Sequence, residues 1–224
     1  MDAKSKRMLE RNQQIEKRKE EILNAAIEEF IQNGIDNSKI SDIAKRAVVG
    51  SATVYRYFET KPKLVIECAT KLWNGEMNSI LPRINVESLD SLNGFEQVQK
   101  VLNIFVAIYE ECPFLLRLLE QFDNYIVNEK IPREQLSQYD VGIAASRDLI
   151  LKAIKAGQED GTIRRDFDVL QFYMTIAHAI MALSQKLLMR GDILPSDKEI
   201  DGKTQISMLI EVALDFIKVK GRQD

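Results

Sequence analysis

The alternation of apolar and polar positions is most regular over residues 38–63, where it predicts two short helices joined by a turn. The apolar positions of the first helix follow the i, i+3, i+4, i+7 spacing of one helical face: Ile40, Ile43, Ala44 and Ala47. The pattern breaks at residues 48–50, where we expect Gly50 to adopt backbone angles that other residues resist. A second helix over about 51–58 places Val54 and Phe58 on its inward face. Two such helices around a glycine-containing turn are typical of a DNA-binding helix-turn-helix.

The outward side chains of the second helix differ from those of an ordinary solvated helix. They carry hydroxyls and one cation in place of a mixture of Glu and Lys: Ser51, Thr53, Tyr55, Arg56 and Tyr57. Hydroxyls and aromatic edges can contact phosphate oxygens or base edges. A small helical hairpin with surface tyrosines would show the same pattern, so the spacing alone leaves both interpretations open.

The rest of the chain is predicted to be helical as well. A first helix over about 15–33 carries an apolar stripe and ends at Asn33-Gly34, where Gly34 is expected to form a left-handed cap. Further helices are predicted at about 61–80, 94–111, 113–129, 133–157, 167–189 and 203–219. Thr60 is expected to cap the helix that begins at residue 61. We find no strand-like alternation, so the predicted fold class is all-α.

Composition and charge narrow the function classes. The chain has 224 residues, of which 45% are hydrophobic, and this suffices for a real core. The absence of an apolar run near 18 residues and of an apolar N-terminal segment predicts no membrane span and a cytoplasmic location.

The charge is unevenly distributed along the chain. Residues 1–63 carry 13 Lys and Arg against 10 Asp and Glu, a net charge of +3, whereas the remainder has a net charge of −6. This asymmetry indicates that a polyanion would bind to the N-terminal part of the chain and not to the remainder. Residues 1–14 are polar and basic and are predicted to be a flexible arm. Its alternatives are a solubilising tail, which we favour, and a segment that adds phosphate or minor-groove contacts.

The motif region resembles the N-terminal domain of TetR-family transcriptional regulators over about residues 16–66. The matching positions are Gly34, Asp42-Ile43-Ala44, Ala47, Val49, Thr53-Val54-Tyr55, Tyr57-Phe58, Lys61 and Leu64. Val48 departs from the pattern because glycine is common there, and this is expected to affect the angle between the two helices. Lys39 replaces a capping Thr, so Ser38 is expected to take over capping. The resemblance implies a helix-turn-helix domain at 15–60, after the arm at 1–14, and a larger helical ligand-binding and dimerisation domain at 61–224.

Eight residues are predicted to contact DNA: Ser38, Lys39, Ser51, Thr53, Tyr55, Arg56, Tyr57 and Lys61. Lys39 and Lys61 lie at the starts of two helices, where a cation opposes the helix dipole at a cost of about 0.3–1 kcal/mol. A bound phosphate would explain that arrangement, because helix N-termini and lysines both favour anions. A solvent-screened lysine would cost almost nothing, however, and we favour the phosphate interpretation for Lys61 over Lys39.

The resemblance also implies a homodimer, in which the helices at about 167–189 and 203–219 of each subunit form a four-helix interface. The wide apolar stripe of the last helix agrees with this, although an internal core helix would show the same periodicity. A symmetric dimer would read a palindromic operator in double-stranded DNA.

A small, mainly apolar effector is the predicted signal, and its binding would release the repressor from DNA. The candidate ligand-binding residues are Trp73, Met77, Phe105, Tyr109, Phe122, Tyr125, Tyr173 and His178. Plain core packing is the alternative for each aromatic residue, and a hydrogen-bonded core or interface position is the alternative for His178. The sequence does not distinguish a repressor from an activator.

An enzyme and a protein-binding helical module are the other function classes considered. With one histidine and no phosphate-binding glycine loop, the sequence offers no catalytic set, so no enzyme activity and no cofactor are predicted. Cys68 and Cys112 lack metal-ligand spacing, and we predict no metal site. A steep salt dependence of binding would distinguish a DNA-binding protein from a protein-binding module.

Overall fold

The computed structural model describes residues 3–84, 89, 91–191 and 193–219, and the regular structure in these ranges is helical. The helices are α1 (Ala3–Asn33), α2 (Ile40–Arg46), α3 (Ser51–Phe58), α4 (Lys61–Ile80), α5 (Gly94–Leu102), α6 (Ile104–Glu111), α7 (Pro113–Asn128), α8 (Ser137–Asp160), α9 (Val169–Arg190) and α10 (Gly202–Ile217). Short 3-10 turns occupy Leu81–Ile84, Arg133–Leu136 and Pro195–Lys198. The predicted all-α fold class is confirmed. None of the described helices is both long and apolar enough to cross a membrane.

Two predicted helix boundaries differ from the structure. α1 begins at Ala3 and not near residue 15, so the described part of the predicted flexible arm is helical. Its residues are mostly good helix formers without glycine or proline, which explains the extension. Residues 1 and 2 of the arm lie outside the described ranges. The predicted helix at 94–111 is interrupted at Asn103, where ψ is −11°. The Asn103 backbone N–H still donates to the Gln99 carbonyl oxygen at 3.1 Å, and its side-chain amide donates to the same oxygen at 3.0 Å.

The chain forms two compact units. The first comprises Met1–Leu72 and Leu118–Tyr139, and the second comprises Trp73–Arg117 and Asp140–Asp224. The first unit therefore extends beyond the predicted boundary at residue 60. α4 begins in the first unit and ends in the second, so one continuous helix belongs to both.

The core of the first unit holds the helix-turn-helix together. Its largest fully buried side chains include Ile22, Phe30, Ile43, Phe58, Leu64 and Phe122, from α1, α2, α3, α4 and α7. The predicted inward residues of α3, Val54 and Phe58, are both buried. Full burial of such a side chain stabilises the fold by about 1.5–3 kcal/mol, more than an eight-residue helix can supply by itself.

The core of the second unit depends on a close crossing of α5 and α8. A Cβ atom added to Gly94 would lie 1.9 Å from the backbone nitrogen of Gly157, so neither position has room for a side chain. Asp160 holds the same crossing, because its carboxylate accepts from the Gly94 backbone N–H at 2.7 Å. This hydrogen bond holds the pKa of Asp160 below its usual value.

The left-handed residue of the turn between α2 and α3 is Val48 and not Gly50. The Val48 N–H donates to the Lys45 carbonyl oxygen at 3.1 Å, and the Val49 N–H donates to the Ala44 carbonyl oxygen at 2.9 Å. This pair of bonds is the Schellman ending of a helix, which needs a left-handed residue at the position of Val48. Val48 accordingly has φ 54°, whereas Gly50 has an ordinary φ of −79°. The expectation for Gly50 was therefore wrong, while Gly34, at φ 81°, is the left-handed cap predicted for α1.

Val48→Gly should stabilise the protein by about 1 kcal/mol, because a left-handed backbone costs an L-residue roughly 1–2 kcal/mol and glycine avoids that cost. Little burial is lost, since Val48 is 87% exposed. Urea unfolding monitored by circular dichroism measures the difference as a shift of the midpoint.

Val141→Gly is the matched control, because Val141 is 70% exposed within α8 and does not have a positive φ. It should lower stability by roughly 0.3 kcal/mol through helix propensity alone. Equal shifts of the unfolding midpoint for the two substitutions would contradict backbone strain at Val48.

Candidate nucleic-acid interface

α3 presents a polar and aromatic face to solvent. Tyr55 is 49% exposed, Arg56 is exposed, and Ser51, Thr53 and Tyr57 are half-buried. The Arg56 guanidinium lies over the Tyr57 ring, 5.3 Å from its centroid. This face offers hydroxyl donors, one cation and an aromatic edge on a short helix, which is the geometry of a helix that can enter a major groove.

Ser38 does not contribute its side chain to this face. It is only 2% exposed, and its hydroxyl donates to the backbone carbonyl oxygen of Gly34 at 2.6 Å. Lys39, and not Ser38, occupies the N-cap of α2, where no side-chain cap bond forms. The expected capping by Ser38 was therefore wrong, and its burial removes its hydroxyl from the predicted DNA contacts.

The two lysines at helix starts have different surroundings. Lys39 is exposed at the start of α2. Lys61 is half-buried, and its Nζ donates to the Asp36 carbonyl oxygen at 3.3 Å and lies 5.6 Å from the centre of the Tyr125 ring. Burial lowers the pKa of Lys61 below its ordinary value. A phosphate would have to compete with these partners for Lys61. For phosphate binding the structure therefore favours Lys39 over Lys61, which reverses the sequence-based preference.

The start of α4 has the predicted cap. The Thr60 hydroxyl oxygen accepts from the Lys63 backbone N–H at 3.3 Å, which satisfies one of the free donors at the helix start. Glu59, which joins α3 to α4, adopts φ 60° and lets the chain reverse between the two helices.

A charged clamp holds α2 against α1. Both Glu29 carboxylate oxygens are engaged, because Oε1 accepts from the Asn33 amide at 2.7 Å and Oε2 accepts from Arg46 at 3.0 and 3.2 Å. Arg46 also donates to Gln32 at 2.6 Å. The Glu29 hydrogen bond raises the pKa of the Arg46 guanidinium above its ordinary value. Glu29 is buried, so loss of Arg46 would leave a buried carboxylate at the α1–α2 contact without its cation.

A polar groove of about 430 Å³ lies between the N-terminal half of α1 and the end of α3. Its lining residues are Arg11, Gln14, Ile15, Lys17, Arg18, Glu21, Arg56 and Tyr57. Sequence reasoning missed Lys17 and Arg18 because it began the packed helix near residue 15 and looked only at its apolar stripe. Ile15, the first apolar residue of that predicted helix, is exposed.

The predicted ligand-binding residues are divided between the two units. Phe122 and Tyr125 are buried in the core of the first unit, where the Phe122 ring lies 4.8 Å from that of Tyr139. Tyr173 is buried in the core of the second unit, and Phe105 and Tyr109 pack against that core. His178 is exposed on α9, so the single chain excludes the alternative of a core histidine and agrees with that of an interface position.

Trp73 and Met77 are both buried on the part of α4 that belongs to the second unit. The indole Nε1 of Trp73 has no hydrogen-bond partner among the described residues, which is unusual for a buried donor. Within the same ranges, no group of three His, Cys, Asp or Glu side chains is arranged to hold a metal ion.

Comparison with known proteins relates this arrangement to bacterial regulators. Residues 22–68 match the family model described as bacterial regulatory proteins, tetR family. The chain is 36% identical over 87 residues to the uncharacterized HTH-type transcriptional regulator YvdT of Bacillus subtilis, which covers 39% of this chain and 41% of YvdT. It is 30% identical over 139 residues to the nucleoid occlusion factor SlmA of Vibrio cholerae, covering 62% of this chain and 68% of SlmA. The match to YvdT thus spans about two fifths of that relative.

Two solved structures resemble the whole fold. The transcriptional regulator FadR from Bacillus subtilis, in complex with stearoyl-CoA, matches with a TM-score of 0.61 and 20% identity, covering 88% of this chain and 98% of that one. The ketosteroid transcriptional regulator KstR2 of Mycobacterium tuberculosis matches with a TM-score of 0.57 and 18% identity, covering 91% and 96%. At these identities the similarity establishes the fold alone.

Proposed function

This chain belongs to the TetR family of bacterial regulatory proteins, and we propose that it is a homodimeric repressor released from a palindromic operator by a small, mainly apolar ligand. DNA binding and transcriptional regulation follow from the family. The dimer, the palindrome and the effector are the further parts of the proposal. The main observation that supports the proposal is the orientation of α3, which buries Val54 and Phe58 and exposes Tyr55 and Arg56.

The outward face of α3 supports sequence-specific contact with a major groove. Tyr55 is the most exposed aromatic residue of that face, and the hydroxyls of Ser51 and Thr53 remain partly accessible. Lys39 adds an exposed cation at the start of α2, where free backbone N–H groups also favour a phosphate. Tyr55 and the hydroxyls read base edges in this proposal, while Lys39 and Arg56 bind the DNA backbone.

The described surface of α9 and α10 supports dimerisation. Large apolar side chains stand exposed on it: Leu170, Met174, Met208, Val212 and Phe216. Beside them lies an apolar groove of about 340 Å³, lined partly by Phe167, Phe172 and Phe216, whose ring centroids are 5.5–5.8 Å apart. A contiguous apolar patch of this kind marks an interaction surface. Packing against the same face of a second copy would bury it and pair two recognition helices for a palindrome.

An apolar effector is supported by the second unit. FadR was solved with stearoyl-CoA, and KstR2 is named as a ketosteroid regulator, so the names of two proteins of this fold refer to molecules with a substantial apolar part. In this chain Trp73 and Met77 offer an apolar wall, with the Trp73 indole N–H as a donor. The effector acts through α4, which begins in the first unit and ends in the second. A coupling of about 1–3 kcal/mol would weaken DNA affinity roughly 5- to 150-fold.

Tyr55→Ala should weaken binding to an operator selected from random duplexes by about 5- to 150-fold, the reduction expected for one base contact worth about 1–3 kcal/mol. Fluorescence anisotropy with the labelled operator measures the affinity. The unfolding midpoint should stay unchanged, because the Tyr55 ring is not part of the core.

Phe114→Ala is the matched control, since Phe114 is an exposed aromatic residue of α7 outside the candidate interface. It should leave operator affinity intact. Normal operator binding by Tyr55→Ala would exclude Tyr55 as a base contact, and a chain that selects no sequence at all would overturn the proposed function.

Val212→Glu should raise the dimer dissociation constant by about a hundredfold or more, because an unpaired carboxylate buried at an interface costs about 3–5 kcal/mol. Val212 is 58% exposed on the chain itself, so the subunit should still fold. Sedimentation velocity across a concentration series measures the constant.

Val141→Glu, on the exposed surface of α8, introduces the same charge outside the proposed interface and should leave the dimer unchanged. A wild-type chain that stays monomeric, or a Val212→Glu variant that dimerises normally, would refute this interface.

A further inference from the structure

The first part of α1 is a solvent-exposed stretch of helix. Every residue from Ser5 to Arg18 is exposed, and the buried stripe of α1 begins only at Ile22. Helix propensity continues α1 into this stretch, and burial within the subunit adds little to it because these side chains are exposed. Between residues 4 and 18 the sequence holds six Lys and Arg against two Glu.

Three of these six cations, all arginines, share one face. Arg7, Arg11 and Arg18 follow one another at intervals of four and seven residues, the spacing of one side of a helix, and Gln14 lies between them. Glu10 lies at the edge of this face and Glu16 on the opposite side, while Glu21 forms a 2.9 Å ion pair with Arg18. At 1.5 Å per residue, the stripe from Arg7 to Arg18 is roughly 16 Å long.

This arginine stripe, Arg7–Arg11–Arg18, runs into the groove beside the recognition helix. Arg11 and Arg18 line that groove together with Lys17 of α1 and Arg56 of α3. Four cations therefore surround a groove that contains Glu21 as its single acidic lining residue. The positive surface of α3 and that of α1 are thus continuous within the first unit.

We propose that the arginine stripe is a second DNA-binding element, which clamps the phosphate backbone of the duplex beside the half-site read by α3. The inference rests on the proposed function and adds a second set of contacts with the DNA backbone to it. DNA presents one phosphate per 3.4 Å of axis on each strand, so a stripe of this length lies alongside several phosphates. Guanidinium groups are suited to such contacts because they bind phosphate oxygens bidentately.

The composition of the extension favours DNA over a lipid surface. An interfacial membrane helix needs a broad apolar face opposite its cations. Over residues 5–18 the large apolar side chains are only Met8, Leu9 and Ile15; Met8 and Ile15 share one side of the helix, while Leu9 lies on another. The extension therefore carries charge without the apolar area that lipid binding requires.

The test is the salt dependence of binding by the full-length chain to a 40-base-pair duplex of mixed sequence, which needs no knowledge of the operator. The double variant Arg7→Gln/Arg11→Gln removes two exposed cations that contribute nothing to the core. The slope of log K against log salt should fall by about 0.9 for each phosphate that is no longer neutralised, or about 1.8 per protomer. The preference for a selected operator over the mixed duplex should not change, because phosphate contacts carry no sequence information.

Lys152→Gln/Lys155→Gln is the control of equal charge change, on the exposed surface of α8. It should leave the slope at the wild-type value. Equal slopes for wild type and Arg7→Gln/Arg11→Gln would overturn the clamp while leaving the proposed function intact. Absence of operator preference in the wild type would instead refute the proposed function. Binding of the wild type, but not of the double variant, to vesicles containing phosphatidylserine at 150 mM salt would assign the stripe to lipid and overturn the inference.

Discussion

The burial of Val54 and Phe58 is the constraint on which the rest of the structure depends. A helix of eight residues cannot hold itself together in water, so α3 exists only because these side chains enter a core built by α1, α2, α4 and α7. The same anchoring decides which residues face outward. Tyr55 and Arg56 are available to a ligand because their neighbours in sequence are fixed inside.

The remaining features of the first unit position that anchored helix. The Glu29–Arg46 clamp holds α2 on α1, and the Schellman ending at Val48 sets the direction in which the chain leaves α2. A left-handed valine is an unfavourable way to make this turn, which shows that hydrogen bonding and packing around it outweigh about 1–2 kcal/mol of backbone strain. The core and the turn together present one defined face of α3.

Local pattern was sufficient for several features of the first unit. The inward residues of α3, the left-handed Gly34 and the cap at Thr60 all follow from short-range rules, and the structure confirms them. Other local predictions were wrong, because Val48 and not Gly50 is left-handed and Lys39 and not Ser38 is the N-cap of α2. Further features depend on partners distant in sequence. The Lys61 ammonium lies 5.6 Å from the centre of the Tyr125 ring, which no local rule could indicate, and the division of the candidate ligand residues between two cores depends on tertiary packing. The groove beside α3 was missed because it needs charges on two helices at once.

The outward face of α3 is proposed to enter a major groove in each half of a symmetric site. Interference by N7-methylated guanine tests this most directly, because N7 lies in the major groove, and an operator selected from random duplexes provides the substrate. We expect methylation to block binding at guanines in both half-sites, with their centres one helical turn or a multiple of it apart. Interference only from methylation at adenine N3, which lies in the minor groove, would contradict this placement of α3. Interference at a guanine in only one of the two half-sites would contradict it as well.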